Sequence, residues 1–145
     1  VVDFAMEFYA ANDGAVRYEG LSLFATSGGA YVGNMLTSEE EKVSRLSAYV
    51  PVGLLCDVRE SICRWMEDTL SGCYVGPFGV DMMIVRRQES GAFLLDPCVE
   101  INLRRTMGHV ALSLSTVECV QGMVMKVLFD DGKYRFRIGH GDWNM

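Results

Sequence analysis

Several features that would mark a specialised class of protein are missing from this sequence of 145 residues. No continuous run of about 18 apolar residues occurs, so a transmembrane helix is excluded and no membrane partner is expected. The first residues carry no basic segment followed by an apolar stretch, so they do not form a signal peptide. The 13 Lys and Arg residues are outnumbered by 19 Asp and Glu, for a net charge of -6, which argues against a broad nucleic-acid-binding surface.

The cysteines lack the pattern of a zinc site. No CxxC pair occurs, and both histidines lie far from any pair of cysteines. An odd number of scattered cysteines in apolar surroundings predicts reduced, buried thiols, which are typical of a cytoplasmic protein. The residues are Cys56, Cys63, Cys73, Cys98 and Cys119.

The length of the chain suits one domain with its own core. Half of the residues are hydrophobic and 22% are charged, which is ordinary for a globular protein. The chain lacks an initiator Met and enters directly on a strand-like pattern from Val2 to Phe8. We therefore expect it to be a fragment or an excised domain.

Hydrophobic periodicity predicts strands, then helices, then strands, a helix and a final hairpin. The expected elements are strands over 2–8, 16–24 and 30–35, helices from Glu39 and from Pro51 to Leu70, strands over 75–85 and 92–103, a helix over 107–117, and a hairpin around Asp130-Asp131-Gly132. This order predicts an α+β fold with a mainly antiparallel sheet packed by helices. We expect residues 1–117 to form the main unit and residues 118–145 to form a tail whose hairpin packs on it.

The predicted hairpin from Val80 to Asn102 is the most informative segment. If Ser90-Gly91 is a two-residue turn, Glu89 pairs with Ala92 and Asp81 lies opposite Glu100, with Asn102 on the same face. The other face is then wholly apolar, as a core face should be. It would carry Val80, Met82, Ile84, Phe93, Leu95, Val99 and Ile101.

The polar face of this hairpin admits two interpretations. Like charges directly opposite each other on a sheet are destabilising, so Asp81 and Glu100 need solvent, a raised pKa or a cation. Oxygen ligands from two carboxylates and the Asn102 amide suit Mg²⁺ or Mn²⁺. The alternative is an acidic sheet face in contact with water.

Basic and helical features follow this face directly. Arg104 comes two residues after Asn102, and a helix is expected to begin near Thr106, so its N-terminal amides add partial positive charge. A metal site, a cation and a helix terminus together suit a polyphosphate. Alternatively, Arg104 pairs with a surface carboxylate. His109 could contact a substrate or cofactor, or could make a structural hydrogen bond at the start of the helix.

The run Gly79-Val80-Asp81, followed by a hairpin and Val99-Glu100-Ile101-Asn102-Leu103-Arg104, resembles the metal-binding end of ATP-grasp enzymes. Members of that superfamily carry an acidic residue on one strand and Glu-x-Asn-x-Arg on its neighbour. The resemblance implies that Asp81, Glu100 and Asn102 would hold Mg²⁺ (or Mn²⁺) on ATP, with Arg104 near the phosphates or an acyl phosphate. It also implies that residues 1–117 correspond to the C-terminal subdomain of the fold.

The function implied by the resemblance is ATP-dependent activation of a carboxylate substrate to an acyl phosphate, which an amine or similar nucleophile then attacks. The lysines and the flexible phosphate-covering loop of the other half of such enzymes have no counterpart here. We therefore expect the missing N-terminal half of the same protein to be a partner, and this chain alone to be inactive. Two alternatives are a non-catalytic nucleotide- or ligand-binding module, and a structural or interaction domain with an acidic sheet face.

Overall fold

The computed structural model describes residues 2–140. Seven strands, three α-helices and one short 3-10 helix make up this part of the chain. They are β1 (Val2–Ala10), β2 (Val16–Ser27), β3 (Ala30–Leu36), α1 (Glu39–Ser47), α2 (Val52–Leu70), β4 (Gly76–Arg86), β5 (Phe93–Asn102), α3 (Met107–Ser115), the 3-10 helix (Glu118–Val120), β6 (Met123–Asp130) and β7 (Lys133–Gly139).

All the strands belong to one sheet with the order β5-β4-β1-β2-β3-β6-β7. Each pair of neighbours is antiparallel, and the helices pack against the sheet. The predicted α+β fold with a mainly antiparallel sheet is therefore confirmed. Residues 118–140 continue this sheet, because β6 pairs with β3 and turns into β7 at Asp131 and Gly132, both of which have positive φ.

One face of the sheet forms the main hydrophobic core with α1 and α2. Phe4, Met6 and Phe8 of β1 point into this core and are almost fully buried, as is Val80 of β4. The Phe8 ring stacks on Phe78 with centroids 5.2 Å apart. The core sits behind β1 and β4, so these two strands are held rigidly and their opposite face is free to carry polar groups.

Helix α2 is the longest helix, at 19 residues. Leu55, Ile62, Met66 and Leu70 are buried at the helical spacing that the sequence predicts. The same stripe was expected to include Leu54 and Trp65, but they are 39% and 53% exposed because they lie at the border of the buried face. Within residues 2–140, no helix is long and apolar enough to cross a membrane.

The cysteines differ from the expectation of burial. All five are free thiols, but only Cys56 and Cys63 on α2 are partly buried. Cys73, Cys98 and Cys119 are exposed, because they lie in a loop, at an irregular point of the edge strand β5, and in the 3-10 helix. Apolar neighbours in sequence did not mean burial at these three positions.

Gly33 sets how closely β3 can approach β6. A Cβ at this position would lie 2.3 Å from the backbone oxygen of Met125, which cannot move without separating the strands. We expect Gly33→Ala to lower the free energy of unfolding by about 1–3 kcal/mol, measured from urea unfolding curves. Gly139→Ala is the matched control, because a Cβ there meets nothing within 4 Å. Equal unfolding midpoints for the two variants would contradict the prediction.

Candidate functional site

The second face of the sheet carries the polar residues and is partly covered by α3. Residues that pair across an antiparallel sheet share a face, and alternate residues along a strand lie on opposite faces. Asp81 pairs with Ala5 on one side and with Glu100 on the other, so it points away from the core that buries Val80 and Met82. Asp81 and Glu100 therefore lie side by side on this second face, which we call the site face.

The register at the site matches the prediction from the sequence. Gly79 pairs with Asn102, Val80 with Ile101, and Asp81 with Glu100. Val80 is buried and Ile101 packs against the same core. The two carboxylates and the amide thus come together at the end of two adjacent strands, β4 and β5.

The connection between β4 and β5 differs from the predicted two-residue turn. The last strand pair is Arg86 with Phe93, and the loop is closed by hydrogen bonds between Arg87 and both Ala92 and Gly91. Glu89 and Ala92 therefore do not pair. Because the loop is longer than predicted, the β4–β5 pairs next to it are shifted by two residues from the predicted register.

An irregularity in β5 restores the register before the site. Between Met83 opposite Asp96 and Asp81 opposite Glu100, Met82 alone faces three residues of β5. These three are Pro97, Cys98 and Val99. Because the excess is an even number of residues, the faces of β5 are the same on both sides of it. Val99 itself is 50% exposed, so its predicted place in the core was wrong.

Hydrogen bonds join three of the predicted site residues. Asn102 Nδ2 donates to Asp81 Oδ2 at 3.2 Å, and Arg104 Nη2 donates to Asn102 Oδ1 at 3.0 Å. Arg104 is exposed, so its guanidinium lies at the open side of the site. The structure thus brings Asp81, Glu100, Asn102 and Arg104 into one cluster.

The electrostatics of this cluster favour a cation. Burial, the charge of Glu7 and the charge of Glu100 raise the pKa of Asp81 to about 6, although Asn102 and Arg104 oppose the shift. The charged form of Asp81 is therefore under-compensated in the protein alone. A positive ion between Asp81 and Glu100 would remove this penalty.

The donor set fits a hard divalent cation that shares its coordination with a second ligand. Within residues 2–140, no group of three or more His, Cys, Asp and Glu side chains could hold a metal ion. The cluster offers only two carboxylates, and its third oxygen belongs to Asn102. Mg²⁺ accepts this arrangement when water or phosphate completes its shell. The Asn102 nitrogen faces Asp81 and its oxygen accepts from Arg104, so coordination beside Asp81 requires the amide to turn over.

His109 lies apart from this cluster, buried at the first turn of α3. Its side chain is 3% exposed, and with Thr106 it forms a capping box at the start of the helix. Nδ1 lies 3.0 Å from Glu7 Oε2, and Nε2 lies 3.3 Å from the backbone oxygen of Phe8. A structural role at the helix start, one of the two expected alternatives, accounts for these contacts. Contact with a cofactor stays a prediction.

Glu7 is the residue of the site face that sequence reasoning missed. It lies in β1 opposite Gly79, and its side chain is 1% exposed beneath α3. In the sequence it occupies a polar position of an alternating strand, which is typical of a residue in contact with water. The sequence contained one indirect indication of its burial: the glycines Gly79 and Gly108, which leave room for the Glu7 carboxylate. A Cβ at these two positions would lie 2.6 Å and 1.8 Å, respectively, from the carboxylate oxygens of Glu7.

Comparisons with known proteins found similarity to a solved structure. Neither a protein-family model nor a curated protein sequence matches this chain. A solved structure from Archaeoglobus fulgidus, of a protein assigned to the ATP-grasp superfamily, is similar at a TM-score of 0.46 and 18% identity. The match covers 97% of this chain and 46% of that one, so this chain spans less than half of the other protein's length.

Proposed function

We propose that this chain is the metal-binding half of an ATP-dependent ligase that activates a carboxylate. The observation that carries the proposal is the pairing of Asp81 with Glu100, with Asn102 hydrogen-bonded to Asp81 and Arg104 hydrogen-bonded to Asn102. The four residue types and their order match the motif of carboxylate-activating ATP-grasp enzymes. Mg²⁺ bound at this place would neutralise negative charge on the phosphates of ATP.

Each residue has a defined task in the proposed reaction. A carboxylate oxygen of the substrate attacks the γ-phosphorus of ATP and ADP leaves; a nucleophile then displaces phosphate from the acyl carbon. Arg104, exposed at the open side of the site, would bind phosphate oxygens of ATP or of the acyl phosphate. Asp81 and Glu100 would orient the nucleotide through the cation that they hold. The steps that involve the carboxylate substrate and the nucleophile would be carried out by the whole protein, and they are part of the proposal.

The proposal is tested by titrating the chain with Mn²⁺ and following paramagnetic broadening of its NMR signals. We expect broadening at Asp81, Glu100 and Asn102, with weak binding because phosphate oxygens are absent. Asp81→Asn should weaken binding more than Asn102→Ala, because the first removes a charge and the second a neutral ligand. Addition of ATP should tighten binding.

The matched control is Glu89→Gln, which makes the same change of charge in the exposed loop of the same hairpin. Binding to this variant should equal that of the unmodified chain. If broadening spares the three residues, or if Asp81→Asn and Glu89→Gln bind Mn²⁺ equally, the hairpin is an acidic surface. The chain would then be a structural or interaction domain.

A further inference from the structure

The side chain of His109 faces oxygen atoms on both of its ring nitrogens. Nδ1 lies 3.0 Å from Glu7 Oε2 and 2.9 Å from Thr106 Oγ1. Nε2 lies 3.3 Å from the backbone oxygen of Phe8 and 3.5 Å from Glu19 Oε2. A backbone carbonyl and ionised carboxylates accept hydrogen bonds and cannot donate them. Both ring nitrogens must therefore carry a proton if these contacts are to be favourable.

Two donors of Thr106 compete for Nδ1, since its hydroxyl at 2.9 Å can donate as well as accept. The backbone N–H of Thr106 points at it from 3.2 Å, which would suit a neutral ring with its lone pair on Nδ1. Glu7 decides between the two states, because its Oε2 is buried with no hydrogen-bond donor aligned on it. A buried carboxylate without a partner costs far more than one unsatisfied N–H at a helix start. The charged imidazolium is therefore the favoured state.

The carboxylate of Glu7 is enclosed by three elements. It stands on β1, and the backbone of β4 at Gly79 and of α3 at Gly108 approaches it so closely that neither position could hold a Cβ without displacement. The Glu7–His109 contact thus fastens α3 directly onto the two strands behind it. Only the residues between Asn102 and Thr106 connect β5 to this fastened helix end.

We propose that His109, as an imidazolium paired with Glu7, is the positioning residue of the candidate site: it holds the first turn of α3 on β1 and so places Asn102 and Arg104 beside Asp81. The inference rests on the proposed function, because a positioning role requires that the site binds a cation. The contacts of His109 themselves do not depend on that function. His109 does not touch the substrate or the cation in this scheme. It acts through the segment that carries Asn102 and Arg104.

The charged groups around His109 agree with this state. Glu7 faces it from β1, and Glu19 faces it from β2, where Glu19 lies at a β-bulge that leaves it without a partner on β1. Burial lowers the pKa of His109, but the close contact and the charge of Glu7, with help from Phe8 and Glu19, outweigh burial and raise it. The ion pair therefore stabilises the fold fully below the ordinary imidazole pKa, and this stabilisation is lost as pH rises through the higher folded pKa.

The first test is the protonation state of His109 in the whole chain, measured from the ¹⁵N signals of the imidazole rings during a pH titration. Only two histidines are present, and His140→Gln assigns their signals. We expect the midpoint for protonation of His109 to lie above the ordinary value of about 6.5. In Glu7→Gln the midpoint should fall, since Phe8 and Glu19 alone then oppose the effect of burial. A midpoint at or below the ordinary value in the unmodified chain overturns the proposal.

The second test separates positioning from charge by the direction of the effect. His109→Gln removes a positive charge near the site, so electrostatics alone would tighten Mn²⁺ binding. Loss of positioning should instead weaken binding, by about tenfold, as is typical when a residue supporting a ligand is removed. Unchanged or tighter binding by a folded His109→Gln variant overturns the proposal.

A third measurement needs neither metal nor a stable single variant. The side-chain amide signals of Asn102 report its hydrogen bond to Asp81, and they should move in His109→Gln. If that variant does not fold, the double variant Glu7→Gln with His109→Gln keeps the net charge of the pair, so any movement of these signals reports position. Unmoved signals in the folded variant overturn the positioning role. Absence of Mn²⁺ binding in the unmodified chain would instead refute the proposed function.

Discussion

Gly108→Ala is expected to destabilise this protein by about 3 kcal/mol, through overpacking of a buried site. The same substitution in a helix ordinarily stabilises, by about 1 kcal/mol, because alanine is the better helix former. At Gly108 the added Cβ would lie 1.8 Å from Glu7 Oε1 and 2.7 Å from Ser22 Oγ. The Glu7 carboxylate or the first turn of α3 must then move, and either movement disturbs the ion pair between Glu7 and His109.

The control for this prediction is Gly53→Ala. Gly53 occupies the second position of α2, as Gly108 does in α3, and a Cβ there meets nothing within 4 Å. Urea unfolding followed by circular dichroism should show a lower midpoint for Gly108→Ala and an equal or higher midpoint for Gly53→Ala. Midpoints that rise in both variants would show that α3 is not packed tightly on Glu7.

Phe8→Ala is expected to be the most damaging substitution of the core, at a cost of about 3–5 kcal/mol. The Phe8 ring is fully buried, stacks on Phe78 at 5.2 Å, and meets the edge of Tyr18 at 5.6 Å. A cavity in this place loosens β1 between the main core and the site face. Because domains of this size are stable by about 5–15 kcal/mol in total, the variant should be close to unfolding at body temperature.

Phe129→Ala provides the comparison for Phe8→Ala. Phe129 lies in β6 and is 67% exposed, so truncation removes little buried surface. Thermal unfolding by calorimetry should give nearly the same midpoint for this variant as for the unmodified chain. Similar losses in the two phenylalanine variants would mean that Phe8 is not at the centre of the core.

The sequence predicted the pairing of Asp81 with Glu100 more accurately than it predicted the loop before them. Alternation of apolar residues on the strands assigned Asp81 and Glu100 to one face, and this depends only on the period of a strand. The loop before them was misjudged, because a two-residue turn at Ser90-Gly91 is only one of several ways to close a hairpin. The predicted pairing of Asp81 with Glu100 is still correct, because the extra residues of β5, an even number, cancel the shift in register that the longer loop causes.

The partner of His109 could not be predicted because it depends on contacts far apart in sequence. Glu7 and His109 are brought together only when β1 is placed between β2 and β4 and α3 then crosses its face. Nothing near Glu7 in the sequence distinguishes it from a carboxylate in contact with water. The same reason explains why the order of strands, with β6 added beside β3, was not predicted: strand pairing is decided by the packing of the whole sheet.

The irregular stretch at Pro97, Cys98 and Val99 divides the β4–β5 hairpin into two ladders. The inner ladder ends at Asp81 and Glu100, and the outer ladder ends at Arg86 and Phe93. Insertions or deletions in the loop over 87–92 act on the outer ladder, and the irregular stretch can take up an even change in register before it reaches the inner one. Loop length at this edge of the sheet can therefore change without altering the pairing of Asp81 with Glu100.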